Sequence, residues 1–270
     1  MPQPPVHTSL GSPFIELKSV ESTNNYALTR VHAGLAQHGE AFFAYEQLAG
    51  KGQRGRVWDA EKEANIILSI IAKPHPLLLT QQFHLSAGVA IAVQEFFAHY
   101  AGDETKIKWP NDLYWQDRKA GGILIESVIG GSAPAKTDAL AEAENNKTKG
   151  QWQWAVIGIG ININQTLFSP VLKNPVSLKQ ITGKHFNTVE LAKELCQRID
   201  HHFKKLIAGE FNSVYQQYLS VLYKKDERVK LKKDNRVFEA TIKSVSPDGK
   251  LIAAHSMDEE FDFGEVEWVI

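Results

Sequence analysis

The chain has 270 residues, 43% of them apolar, and its 30 Lys and Arg nearly balance 31 Asp and Glu for a net charge of -1. That length suits one large domain, or a main domain with a small appendage, and the charge balance argues against a general nucleic-acid binder, which would carry a basic excess. A lone cysteine, Cys196, can build neither a disulfide framework nor a cysteine metal site, and no stretch approaches the ~20 apolar residues of a membrane span. Met1 to Pro13 has neither the basic start nor the apolar run of a signal peptide, so the expectation is a cytoplasmic protein with no membrane partner.

Residues 1–13 hold four prolines and read as an irregular arm. Ser22 or Thr23 can cap a helix that carries Tyr26, Ala27, Arg30 and Val31 at helical spacing and stops at Gly34. Ala41 to Glu46 and Asn65 to Ala72 are apolar, β-branched or aromatic runs suited to buried strands. Gln82 to Tyr100 is the clearest helix, with Leu85, Val89, Val93, Phe96, Phe97 and Tyr100 on one face. Lys106 to Trp109, Leu113 to Gln116 and Gly122 to Ile129 follow as strands, separated by Pro-Asn-Asp and Asp-Arg turns. The stretch at about 130–150 is rich in Gly, Ala, Lys, Glu and Asn and reads as an exposed, mobile insertion. Trp154 to Asn164 is another strand, and Thr188 to Ala208 a helix that buries Leu191, Leu195, Ile199, Phe203 and Leu206. From residue 222 the runs become short: Glu227 to Lys232, Val237 to Val245 and Lys250 to His255, with a tight turn at Pro247-Asp248-Gly249. The larger part lacks a regular βαβ alternation. The fold class expected is α+β, a mainly antiparallel sheet with flanking helices over 14–221, followed by a small all-β module over 222–270.

Five segments carry chemistry. Gly50-Lys51-Gly52-Gln53-Arg54-Gly55-Arg56, with Trp58 just after, can turn tightly, expose successive N–H groups and add three cations, which suits a phosphate or carboxylate. It joins two strands rather than a strand and a helix, and it lacks the Gly-Lys-Ser/Thr ending, so it is no P-loop; the plain alternative is a charged surface hairpin. Lys108-Trp109-Pro110-Asn111-Asp112 is good turn chemistry that has no need of the Lys and Trp before it. Lys119 precedes two small glycines, Gly121 and Gly122, which leave room for its ammonium to reach a cleft; a hairpin with solvated charges would look the same. Gly158-Ile159-Gly160-Ile161-Asn162 places glycines inside an apolar strand, the mark of a close approach, and Asn162 offers both a donor and an acceptor that suit an adenine edge. Glu21-Ser22-Thr23-Asn24 can bind a neutral polar group or merely cap the helix.

Taken in this order, the five segments resemble the biotin–protein ligase family from about Ser19 to Asn164. That family carries a Ser-Thr-Asn at its first helix, a Gly-Arg-Gly-Arg-x-Gly-Arg loop, a Lys-Trp-Pro-Asn-Asp turn, a Lys-x-x-Gly-Ile-Leu segment and a Gly-x-Gly-x-Asn strand. Lys51 and Gln53 stand where the commonest loop has arginines; lysine keeps the charge without the bidentate fork, and Gln53 has no charge. The resemblance implies a class II synthetase-like catalytic domain and a C-terminal SH3-like β barrel. It implies a ligase that uses ATP, biotin and Mg²⁺ to make biotinyl-AMP and passes biotin to a lysine of the biotin carboxyl carrier domain of a carboxylase.

On that resemblance, biotin is expected near Ser22, Thr23, Asn24, Gln47, Lys51, Gly52, Gln53 and Lys119. The nucleotide is expected near Gly50, Lys51, Gly52, Gln53, Arg54, Arg56, Trp58, Lys108, Asn111 and Asn162. Lys119, Arg54 and Arg56 are the expected catalytic residues, because two anions must meet and cations offset their repulsion. No metal ligands are legible. The Ser-Thr-Asn segment begins at residue 22, which leaves no room for the winged helix–turn–helix of the family's repressors, so no repressor role is expected. Sheet-edge homodimers occur in the family, and the residues leave that partner open. The rivals are a lipoate–protein ligase of the same superfamily and a non-catalytic biotin or nucleotide sensor. A third takes the basic tail, Lys224 to Lys233, as a nucleic-acid or peptide module, although alternating charge at strand spacing more often makes one solvated face. Cys196 is expected to pack in the core.

Overall fold

The computed structural model describes residues 8–130 and 151–269. The insertion expected at about 130–150 therefore lies, beyond Gly130, outside the described residues, as does the start of the N-terminal arm.

Seven strands form the main sheet: β1 (Phe14–Leu17), β2 (Ala41–Ala44), β3 (Ile66–Ala72), β4 (Thr105–Lys108), β5 (Asp112–Trp115), β6 (Arg118–Ile129) and β7 (Trp152–Ile161). Their order is β1-β2-β3-β7-β6-β5-β4, with only β1 and β2 parallel. The mainly antiparallel α+β expectation is met. Central β3, between β2 and β7, is buried along its whole length. Phe43, Leu68, Ile70, Ile157 and Ile159 join the large core with helix α2 (Gln82–Ala101) and helix α4 (Thr188–Ile207). Phe42, Ile71 and Val156 meet Ala27 and Val31 of helix α1 (Thr23–His32) on the other face. That face is covered only in part by α1, and the uncovered part matters below.

Several elements differ from the sequence expectation. Helix α2 is buried nearly all round, Phe83, Ala87, Ala90 and Ile91 included, because it lies between the sheet and helices α4 and α5 (Phe211–Ser220). Helix α5, the short α3 (Leu178–Thr182) and edge strand β1 were not expected. Strand β6 begins four residues earlier than expected, at Arg118, so Lys119 sits within it rather than ahead of it. A register shift at Leu113/Tyr114 brings Lys119 opposite Tyr114.

The C-terminal module is a five-stranded antiparallel sheet: β8 (Arg228–Lys233), β9 (Arg236–Val245), β10 (Leu251–Ala254), β11 (Asp258–Phe261) and β12 (Glu267–Val269). Its order, β11-β10-β9-β8-β12, has two ends, so the strand pairing is that of an open sheet and does not show the closed barrel expected. Its cations meet carboxylates: Lys224 lies 3.1 Å from both Asp117 and Glu227, Arg228 3.2 Å from Glu239 and Lys233 2.6 Å from Glu265. The module packs on the main domain, where the Trp109 indole donates to the Gly249 carbonyl at 2.9 Å and Leu222 bridges to Ile107 beside β4. No described helix is long and apolar enough to cross a membrane.

Candidate functional site

The face of the sheet that α1 leaves open is lined by small residues in register. Gly158 of β7 pairs with Ser69 of β3 and Leu124 of β6, and Gly160 pairs with Ile67 and Gly122. Without side chains at Gly122, Gly158 and Gly160 the sheet surface sinks, and a cavity of about 520 Å³ opens above it. Neighbouring side chains already use part of that depth. A Cβ on Gly158 would overlap the Asn24 amide, and one on Gly160 would overlap the Trp58 indole. The close approach expected from these glycines is thus made first by the protein itself.

One part of the cavity is neutral and polar. Ser22 caps α1 by accepting from the Asn25 N–H at 3.4 Å. The Thr23 N–H donates to Gln47 Oε1 at 2.9 Å, and Ser69 Oγ lies 2.8 Å from Thr23 Oγ1. Asn24 donates through Nδ2 to Glu126 at 2.8 Å and accepts from Ser69 at 2.6 Å. Buried polar groups of this kind are costly unless paired, so their orientations are fixed.

Another part is cationic. Lys119 Nζ lies 2.7 Å from Asp112 Oδ1 and 5.9 Å from the Trp58 ring centre. Lys108 is 8% exposed, bonds the Tyr114 hydroxyl at 3.1 Å and lies against the rings of Tyr114 and Trp268. Its pKa is pulled from 10.5 down to about 8, mainly by burial; Asp112 opposes this, while Lys119, Arg56 and Lys173 add to it. Burial raises the Tyr114 hydroxyl well above its ordinary value. Burial thus weakens the charge on Lys108 although Asp112 stands in the same cavity, and an incoming anion would favour the protonated form.

The glycine-rich loop is a tight hairpin. Lys51 pairs with Val57, the Gly52 N–H donates to the Arg56 carbonyl at 2.7 Å, and Gln53–Gly55 forms a single 3-10 turn with Arg54 and Gly55 at positive φ. Arg54 reaches across the cavity mouth and donates to the Gly264 carbonyl at 3.0 Å. Gln53 Oε1, Trp58 Nε1 and Trp268 Nε1, all on cavity-lining residues, are buried without a hydrogen-bond partner.

Every residue expected at the site except Gly50 lines this one cavity. Gly50 lies beneath it, where a Cβ would overlap the Trp58 carbonyl and the Gln47 amide. Asn111 and Asn162 border the cavity but spend side-chain donors on the protein: Asn111 on the Ile123 carbonyl at 2.5 Å, and Asn162 on the Val176 carbonyl at 3.1 Å and the Lys119 carbonyl at 3.5 Å, so Asn162 keeps only its acceptor. Sequence reasoning missed Ser69, Glu126, Tyr114, Lys173, Phe263 and Trp268. Ser69 and Glu126 were discoverable as lone polar residues inside apolar strands; Phe263 and Trp268 arrive from the far end of the chain with no local signal. Cys196 is 3% exposed and burial pushes its thiol up to about 12, as befits core packing. Asp59, Asp112, Asp117 and Glu267 face the cavity, and no group of three or more metal-ligating side chains occurs among the described residues.

This architecture is the fold of the biotin protein ligases. The structure of a biotin protein ligase from Aquifex aeolicus in complex with biotin and ATP matches with a TM-score of 0.74, at 24% identity, over 94% of this chain and 97% of that one. Residues 16–137 match the model of the Biotin/lipoate A/B protein ligase family. Over 120 residues the chain is 38% identical to the bifunctional ligase/repressor BirA of Escherichia coli, covering 43% of this chain and 35% of that protein. It is 35% identical over 108 residues to the biotin–(acetyl-CoA-carboxylase) ligase of Mycobacterium tuberculosis, covering 39% and 41%. The aligned stretch thus spans less than half the length of either relative.

Proposed function

We propose that the protein is a cytoplasmic biotin–protein ligase that joins biotin to ATP as biotinyl-5′-AMP and transfers it to a lysine of a carboxylase carrier domain. The observation that carries this reading is a single cavity with a neutral polar part, suited to a ureido ring, beside a cluster of cations suited to phosphates. The carboxylate of biotin and the α-phosphate of ATP repel each other, and Lys119, Lys108 and Arg56 would offset that repulsion as the acyl–phosphate bond forms. Pyrophosphate leaves; the neutral amine of the acceptor lysine then attacks the carbonyl and AMP leaves. No protein nucleophile is needed. Mg²⁺ would arrive on the triphosphate, and facing carboxylates such as Asp112 suit a metal held mainly by phosphates and water. There it would supply charge neutralisation. The sheet of the C-terminal module is taken to curl as an SH3-like barrel, and the division near residue 222 to separate it from the catalytic domain.

The test is transfer of labelled biotin to a carrier domain in the presence of ATP and Mg²⁺. Label on the acceptor lysine supports the proposal. Transfer of lipoate in its place would assign the sister activity, and binding without transfer would make the protein a sensor.

A further inference from the structure

Glu126 lies in an apolar strand, and its carboxylate ends on the Nδ2 of Asn24, 2.8 Å away. An amide can usually be turned end for end, so its orientation has to be decided by its neighbours. Here the decision is one-sided. A carboxylate offers only oxygens, and the Leu124 carbonyl, 3.4 Å from the same nitrogen, offers another. The amide oxygen must therefore face Ser69, which spends its one hydrogen on it at 2.6 Å. Ser69 can then only accept at its remaining contact, 2.8 Å from Thr23 Oγ1. The Thr23 hydrogen goes to Ser69, or to Gln47 Oε1 at 3.4 Å. Either way it stays inside the protein.

We propose that Glu126 is a specificity-determining positioning residue: through Asn24 and Ser69 it fixes Thr23 as a pure hydrogen-bond acceptor toward the cavity, so the ligand there must present an N–H. Thr23 lines the cavity, and each link in the chain is a described contact between different elements: β6, α1, β3 and α1 again. Gln47 complements it, because its oxygen is held by the Thr23 N–H and its amide nitrogen is left to donate. An acceptor beside a donor matches the N–H and C=O of a cyclic urea; a dithiolane ring has neither. This inference rests on the biotin reading and deepens it.

The experiment measures, by calorimetry on the full chain, binding of biotin, of its two ureido-N-methylated forms and of ATP. The proteins are wild type, Glu126→Lys, Glu126→Ala and Glu126→Gln. Lysine reverses the polarity of the chain, alanine releases it, and glutamine can still present an oxygen. Expected are about tenfold weaker biotin binding in Glu126→Lys, a smaller loss in Glu126→Ala and recovery of most of the affinity in Glu126→Gln, with ATP binding retained. The preference for biotin over whichever methylated form blocks the N–H at Thr23 should shrink in the lysine variant; a purely structural role would leave that ratio alone. If Glu126→Lys loses ATP binding as well, the alanine variant decides on the same ratio. Wild-type biotin affinity and wild-type preference in both variants would overturn the inference and leave the biotin reading standing. A wild-type protein that binds no biotin would overturn that reading, and this inference with it.

Discussion

At the scale of single residues, two lysines would divide the electrostatic work of the proposed reaction. Lys119 is partly exposed and paired with Asp112, so it can swing from that carboxylate to a phosphate. Lys119→Ala should slow adenylate formation about 10²-fold, roughly 3 kcal/mol of transition-state stabilisation, in a pyrophosphate-release assay at saturating biotin and ATP. Lys108 behaves differently. Its pKa of about 8 means that it is charged below that pH and loses its proton above it, while a bound phosphate restores the charge. Nucleotide binding at about pH 9 should therefore take up a proton, and binding at about pH 6 should not. Calorimetry in buffers of different ionisation enthalpy reads this directly, and Lys108→Met should abolish the uptake.

At the scale of elements, the site depends on a strand interrupted by glycines. Gly160 seats Trp58, and Trp58 anchors the end of the loop that carries Lys51, Arg54 and Arg56. Gly160→Ala should unseat the indole and lower adenylate formation by more than about tenfold, which is about 1.4 kcal/mol. Limited proteolysis should show faster cleavage in the 50–58 loop of that variant, and in the native protein slower cleavage once biotin and ATP are bound. Much of this was legible in the sequence, because tight turns and interrupted strands leave local marks: the 50–56 loop, the 108–112 turn, Lys119 and the 158–162 strand all border one cavity. Burial and long-range contacts leave weaker marks. Helix α5 carries Phe211, Val214, Tyr215 and Tyr218 at helical spacing, a readable pattern that four polar residues between them diluted. The full burial of α2 depends on α4 and α5 closing over it, and the early start of β6 on a register shift across the hairpin. Neither follows from the local sequence.

At the scale of the whole molecule, the C-terminal module is a wall of the site. Trp268 lies over Lys108 at 5.3 Å, Phe263 and Glu267 face the cavity, and Gly264 accepts from Arg54. The residues that finish this wall thus come from the last strand of the chain and the turn before it, and the two sheets together enclose the cavity. Trp268→Ala removes a buried cation–π contact of about 1–2 kcal/mol and should weaken nucleotide binding by roughly 5- to 30-fold, with biotin affinity unchanged in the same titrations. The most direct test of a cationic site that joins two anions is exchange of labelled pyrophosphate into ATP with no acceptor protein present. Expected is exchange that requires biotin and collapses in Lys119→Ala; exchange supported by lipoate but not by biotin, or none at all from folded protein with both substrates bound, would contradict it.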